Sequence, residues 1–141
     1  MCSSDLVVRA TTAIVDPHYN RTISGPDLVA FQRLVRRVPI ADPVLRYALS
    51  LVRTSRPKSP QAPDSVKKYV AFGAGPRAGQ NLVLAAKARA AMEGRAVPDL
   101  EDVDAVAFSV LRHRVVLNFQ AEAEGVGIET ILALGGRGRA G

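Results

Sequence analysis

The sequence predicts an all-α fold, a small helical bundle with room for one short two-stranded ribbon. Apolar residues recur at helical spacing in several segments, and most of these segments begin with a capping residue or an early proline. Neither a hairpin turn nor sustained alternation of apolar and polar residues occurs. With 141 residues, 48% of them hydrophobic, the chain has one domain's length and a globular composition that excludes wholesale disorder.

The first predicted helix begins near Ser24, where a capping side chain precedes an early proline and then an acidic residue. Pro39 ends it. One face of this helix is apolar and consists of Leu28, Phe31, Leu34 and Val35.

The second predicted helix begins at Asp42, interpreted as the N-cap, with Pro43 at the first helical position. A broad apolar face follows, and Pro57 closes the helix. Residues 56–63 hold three prolines and predict an extended surface loop.

After this loop, Asp64 could cap a short turn that ends at Gly73. Gly73 and Gly75 then predict a tight turn, and Pro76 opens a helix at its favoured first position. That helix runs to about Glu93. Its middle is almost wholly apolar, so we expect it to be the most buried helix.

The last third of the chain begins with a capped helix start at Asp99, followed by acidic residues in the first turn. Residues 115–117 are either a short strand or a continuation of that helix, and residues 119–124 are ambiguous. Residues 127–134 predict one last short helix.

The ends of the chain are set apart from this fold. Residues 1–6 resemble an in-frame translation of adaptor DNA and are interpreted as an artefact or as disordered, not as a signal peptide. Residues 135–141 predict a flexible Gly/Arg tail. If residues 1–6 are foreign, the chain is a fragment of something longer.

Charge and cysteine usage limit the classes of function. The net charge of +6 and the pI near 10.1 are compatible with a phosphate-bearing partner, although an arginine-rich coding bias gives the same balance. One cysteine excludes an internal disulfide framework, and Cys2, His18 and His113 make a poor metal site. No apolar run is long enough to span a membrane.

No complete active site is present in the sequence. It contains no GxxxxGK[ST] phosphate loop, no G-x-S-x-G elbow and no H-E-x-x-H pair. The acidic residues after Pro98 could suggest a metal or acid/base site, but their position at the start of a helix accounts for them. These residues are Asp99, Glu101, Asp102 and Asp104.

Several separated motifs, in order, resemble the C-terminal lid domain of MoxR-type AAA+ ATPases. They are the Thr11–Thr12 pair, LVAFQRLVRRVPIADPVL, LVRTSRP, GAGPRA at 73–78, EGR, PDLEDVDAV, VLRHRVVL and AEAEGV. The similarity covers residues 7–134. The family commonly has serine where Gly75 stands and a more aliphatic helix start than Gln80 and Asn81 provide.

The resemblance implies that residues 7–134 are a helical lid and that Arg77 matches the family's sensor-2 arginine, with Gly73, Gly75 and Pro76 shaping its turn. In the parent protein, this arginine would reach the γ-phosphate of ATP bound, with Mg²⁺, on a core that this sequence lacks. The chain alone would hold no cofactor and would not hydrolyse ATP. A cation in the first turn of a helix is mildly unfavourable, which favours a functional reading of Arg77 over a merely solvated one.

The same resemblance implies a cytoplasmic, chaperone-like ATPase in which the lid contacts its own core and neighbouring subunits of a ring. Such a parent would activate proteins or insert metal cofactors, and its client is unknown. Two alternatives stay open. One is a free-standing basic module that binds nucleic acid, disfavoured because its arginines are spread over several helix ends. The other is a protein-interaction domain that uses an exposed apolar face.

Overall fold

A computed structural model describes residues 3–12 and 20–136 of the chain. Cys2, His18 and the end of the predicted tail, residues 137–141, lie outside the described residues. The elements in chain order are α1 (Ser3–Thr12), α2 (Gly25–Arg37), α3 (Asp42–Thr54), α4 (Asp64–Tyr69), β1 (Val70–Phe72), α5 (Pro76–Met92), α6 (Leu100–Leu111), β2 (Val116–Leu117), α7 (Phe119–Ala123) and α8 (Ile128–Gly136). The predicted helical fold with one short ribbon is confirmed.

The chain divides into two compact units, Met1–Ala30 and Phe31–Gly141. The core and the site described below lie in the second unit. No helix among the described residues combines the length and the apolar character needed to cross a membrane.

Helix α5 is the central helix of the second unit, as its apolar middle predicts. It packs most extensively against α6 and next against α3. Leu82, Ala86 and Ala90, at four-residue spacing, are fully buried on one face of α5. Small side chains at two of these three positions let the neighbouring helices approach closely, and Val103 of α6 completes the contact with a fully buried side chain.

The connection between α5 and α6 forms where the sequence predicts the end of one helix and the start of the next. Gly94 has φ of +73°, and the N–H of Arg95 donates to the carbonyl of Ala90 at 2.8 Å. This Schellman ending satisfies carbonyl groups of the last turn. Asp99 then caps α6 through a reciprocal capping box with Asp102. The predicted end of α5 and the predicted start of α6 are therefore confirmed.

The short ribbon resolves the two segments whose structure the sequence left open. Strand β1 pairs antiparallel with β2, with Val70 opposite Leu117, so residues 116–117 are a strand and not a continuation of α6. The Asn118 side chain caps α7 by accepting from the N–H of Ala121 at 3.0 Å. Asn118 thus starts the helix that the sequence left ambiguous.

Two predicted helix starts are wrong by one residue. Ala41 is the N-cap of α3, and Asp42 is already helical without a side-chain capping bond. Likewise, Pro63 and not Asp64 precedes the first helical residue of α4. Each acidic side chain stays in the first turn, where its charge still favours the helix dipole.

Helix α2 exposes the apolar face that the sequence predicts for it. Leu28, Phe31 and Leu34 are each about half exposed, and no residue of α2 is buried. Its start is capped as predicted, because the N–H of Asp27 donates to the Ser24 hydroxyl at 3.2 Å. The amphipathic pattern therefore forms a helix whose apolar face is about half exposed at these three residues.

Candidate functional site

The turn at residues 73–77 leads directly into the central helix. Gly75 is the N-cap of α5 in extended conformation, and Pro76 occupies the first turn, where its missing N–H costs nothing. Arg77 follows and is exposed. Its side chain therefore stands at the N-terminal end of the most buried helix, where free backbone N–H groups and the positive end of the helix dipole favour an anion.

Arg77 differs from the arginines near the other end of α5. Arg89 and Arg95 form ion pairs with Asp102 at 3.3 Å and 2.5 Å. Within residues 3–12 and 20–136, no carboxylate and no hydrogen-bond acceptor engages the Arg77 side chain. Its guanidinium, with five N–H donors in a planar fork, is therefore available to a ligand.

The turn that carries Arg77 is attached to the C-terminal end of α3. Ala74 is fully buried and belongs to neither β1 nor α5, so its main-chain groups need partners from elsewhere. The Ser55 hydroxyl accepts from the N–H of Ala74 at 3.0 Å, and Arg56 Nε donates to its carbonyl at 2.9 Å. Ser55 also donates to the Val52 carbonyl at 2.7 Å, so its buried hydroxyl both donates and accepts a hydrogen bond.

Packing makes glycine necessary at one of the two glycine positions in the turn. A Cβ atom on Gly73 would lie 2.4 Å from the Ser55 carbonyl oxygen and 2.6 Å from the Arg56 Cα. A Cβ on Gly75 would meet nothing within 4 Å, and its φ of −81° suits any residue. Gly73 therefore lets the turn lie against α3, whereas Gly75 occupies a position that would accept a serine.

The acidic segment at the start of α6 is a structural cluster. Asp102 is 1% exposed and accepts two hydrogen bonds from Arg95, at 2.7 Å and 2.5 Å. The Arg95 guanidinium, with help from the backbone N–H of Asp99, lowers the pKa of Asp102 to about 2. Asp104 accepts from the Tyr47 hydroxyl. Helix capping and pairing thus account for these acids, and no group of three metal ligands is found in the part of the chain that the structure describes.

A second charged cluster ties α4 to α7. Glu124 accepts from the Tyr69 hydroxyl at 2.7 Å and from Lys68 Nζ at 3.1 Å. These bonds lower the pKa of Glu124 to about 2, and the bonds of Lys68 to Tyr69 and Glu124 raise the pKa of that ammonium. The groups are substantially exposed, so the cluster orients two short helices and offers no enclosed reaction site.

The arginines that suggest nucleic-acid binding lie on two helices. Arg33, Arg36 and Arg37 are exposed on α2. Arg53 and Arg56 line a cleft of about 290 Å³ at the end of α3, together with Lys58 and Ser59. Arg56 is partly committed to the Ala74 carbonyl, as described above.

The sequence predicts a role for Arg77 and its turn but does not show that Ser55 and Arg56 hold that turn. Ser55 lies 19 positions and Arg56 18 positions before Ala74, and nothing in local periodicity links them to it. The sequence feature that could have pointed to Ser55 is a serine at the end of an apolar helix face, because a hydroxyl that is buried there needs hydrogen-bond partners.

Comparison with known proteins places the chain among lid domains of ATPases. Residues 64–133 match the model of the AAA lid domain family. The chain is 30% identical over 119 residues to Chaperone MoxR1 of Mycobacterium tuberculosis. The aligned segment covers 84% of this chain and 32% of that protein. It also superposes on a crystal structure of a protein assigned as an ATPase from Cytophaga hutchinsonii, with a TM-score of 0.79 and 28% identity over 95% of this chain and 41% of the other. The chain thus spans about a third of the length of the curated relative.

Proposed function

The chain carries an AAA lid domain of the MoxR type, and from this premise we propose that it closes over ATP bound to a separate core and supplies Arg77 to the γ-phosphate. One observation carries the proposal. Arg77 is an unpaired, exposed arginine among the described residues, on a packed turn at the N-terminal end of the central helix.

The electrostatics of this position favour a phosphate ligand over solvent alone. A cation beside a helix N-terminus is disfavoured by about 0.3–1 kcal/mol, and no described acid offsets that cost for Arg77. A bound phosphate would reverse the balance, because its negative charge interacts favourably with both the guanidinium and the helix end. Arg77 would thereby hold the nucleotide and couple its presence to closure of the lid.

The remaining parts of the mechanism are assigned to the parent protein. ATP and Mg²⁺ would be held by the core, because the described residues offer no cluster of metal ligands and the sequence has no phosphate loop. We propose that the parent is a cytoplasmic, chaperone-like ATPase that forms a ring and acts in protein activation or metal-cofactor insertion. The likeness to Chaperone MoxR1 supports the chaperone-like part of this proposal.

The half-exposed apolar face of α2 supports a lid that works against a larger body. Leu28, Phe31 and Leu34 form an exposed apolar row, a feature that marks interaction surfaces. The aligned segment makes up 84% of this chain and 32% of the curated relative, so that relative is about 2.6 times as long as this chain. We propose that the parent protein has a core domain against which this face packs.

The first step of the test is to read the source DNA upstream of the Val7 codon. An open frame that encodes GxxxxGK[ST] and an acidic Walker B strand is expected. An in-frame stop and a ribosome-binding site before Met1 would overturn the ATPase assignment and favour the binding-module alternatives.

The second step is steady-state ATP hydrolysis by the full-length protein. Arg77→Ala should lower kcat/KM by about 10- to 100-fold, the effect of losing a hydrogen bond to a charged group. Arg46→Ala is the matched control, because Arg46 is an exposed arginine of α3 with no described partner. Equal rates for both variants and the wild type would refute the role of Arg77.

A further inference from the structure

We propose that Ser55 and Arg56 are positioning residues that act through Arg77. Together they hold both main-chain groups of Ala74 and so fix the direction in which α5 presents its arginine. The inference rests on the proposed function, since a positioning role presumes that Arg77 meets the nucleotide.

The attachment of the turn to the end of α3 involves both main-chain groups of Ala74. Ala74 is fully buried, and its N–H and carbonyl each have one described partner, both from the two residues that follow α3. Gly73 rests against the backbone of the same two residues, with no room for a Cβ. Three independent contacts therefore converge on one short turn, which can neither rotate nor shift away from α3 without losing them.

Only a short stretch of chain separates the attached residue from the arginine. Arg77 is three residues after Ala74, so the two backbones are at most about 10 Å apart. Pro76 fixes one of the intervening φ angles. A displacement of Ala74 would therefore also displace the backbone of Arg77. Without the attachment to Ser55 and Arg56, the guanidinium would sample more positions.

Arg56 differs from the cations around it because it contacts the turn. Its Nε donates to Ala74, and its side chain also lines the cleft with Arg53 and Lys58. The neighbouring cations supply the same kind of charge without a hydrogen bond to the turn. Substituting Arg53 or Lys58 therefore removes a positive charge but leaves the hydrogen bond to Ala74 in place, whereas substituting Arg56 removes both.

The test measures ATP kinetics in the full-length protein. Ser55→Ala and Arg56→Met should each lower kcat/KM for ATP by about 3- to 10-fold, the effect of one hydrogen bond. Arg53→Ala and Lys58→Ala should stay within about twofold of the wild type. Arg56 is exposed, so Arg56→Met gives a result even if Ser55→Ala folds poorly.

The decisive readout is the same pair of substitutions in an Arg77→Ala background. If Ser55 and Arg56 act through Arg77, neither causes a further loss there, because nothing is left to position. A merely structural role would lower turnover equally in both backgrounds.

Three outcomes distinguish the possibilities. Loss in the wild-type background alone supports the proposal. Equal loss in both backgrounds, or no loss in either, overturns the positioning role but leaves the proposed function intact, provided that Arg77→Ala is itself impaired. Normal kinetics for Arg77→Ala overturn both.

Discussion

The close contact at Gly73 makes a quantitative prediction about stability. In Gly73→Ala, the new Cβ would lie 2.4 Å from the Ser55 carbonyl oxygen and 2.6 Å from the Arg56 Cα. Both are backbone atoms, so no side chain can swing aside to relieve the overlap. Overpacking costs about 1–3 kcal/mol. A shift of the turn also weakens two hydrogen bonds to Ala74, each of which contributes about 1 kcal/mol. We expect a loss of about 3 kcal/mol in the free energy of unfolding.

Urea unfolding of the chain measures this loss, and Gly75→Ala provides the matched control. At Gly75, a Cβ meets nothing within 4 Å and φ is ordinary. The weaker N-cap preference of alanine and the lower entropy of the unfolded chain then oppose each other, so the change should stay within about 0.5 kcal/mol. If Gly73→Ala were as stable as the wild type, or if Gly75→Ala lost as much, the packing argument would be wrong.

Three further predictions concern acid stability, helix termination and the basic surface. The folded-state pKa of Asp102 is lowered to about 2, so its pairing contributes about 2 kcal/mol above pH 4 and loses it as the pH falls from about 4 to 2. Urea unfolding at both pH values should show a larger loss in the wild type than in Asp102→Asn; equal losses would contradict the pairing. Gly94→Ala should destabilise by about 1 kcal/mol because φ is positive there, and an unchanged urea midpoint would contradict this. The chain should show no salt-sensitive, specific affinity for DNA in a fluorescence titration, whereas tight binding that falls steeply with salt would favour the nucleic-acid alternative.

The sequence predicts local structure well where one residue type is physically required. The glycine stop at Gly94 needs a positive φ, and the capping box at Asp99 needs an acceptor within reach of the next turn. By contrast, the position of Pro43 did not fix the start of α3, because proline is accepted at either of the first two helical positions. The helix start is therefore one residue off, although the helix itself is correctly predicted.

Contacts between distant segments are what the sequence does not show. The Ser55–Ala74 bond joins residues 19 apart, and the Glu124–Tyr69 bond joins residues 55 apart. Each depends on how α3, α4 and α7 pack, which helical periodicity does not determine. Asp102 shows the same limit, since its place in the first turn predicts a capping role but not burial against Arg95.

The most direct test of the central claim compares ATP with ADP binding by the full-length protein. An arginine that reaches the γ-phosphate contributes to ATP affinity and has no such contact with ADP. Isothermal titration should therefore show ATP affinity reduced by about 10- to 100-fold in Arg77→Ala, with ADP affinity within about twofold of the wild type. Unchanged affinity for both nucleotides, or an equal loss for both, would contradict the assignment of Arg77 to the γ-phosphate.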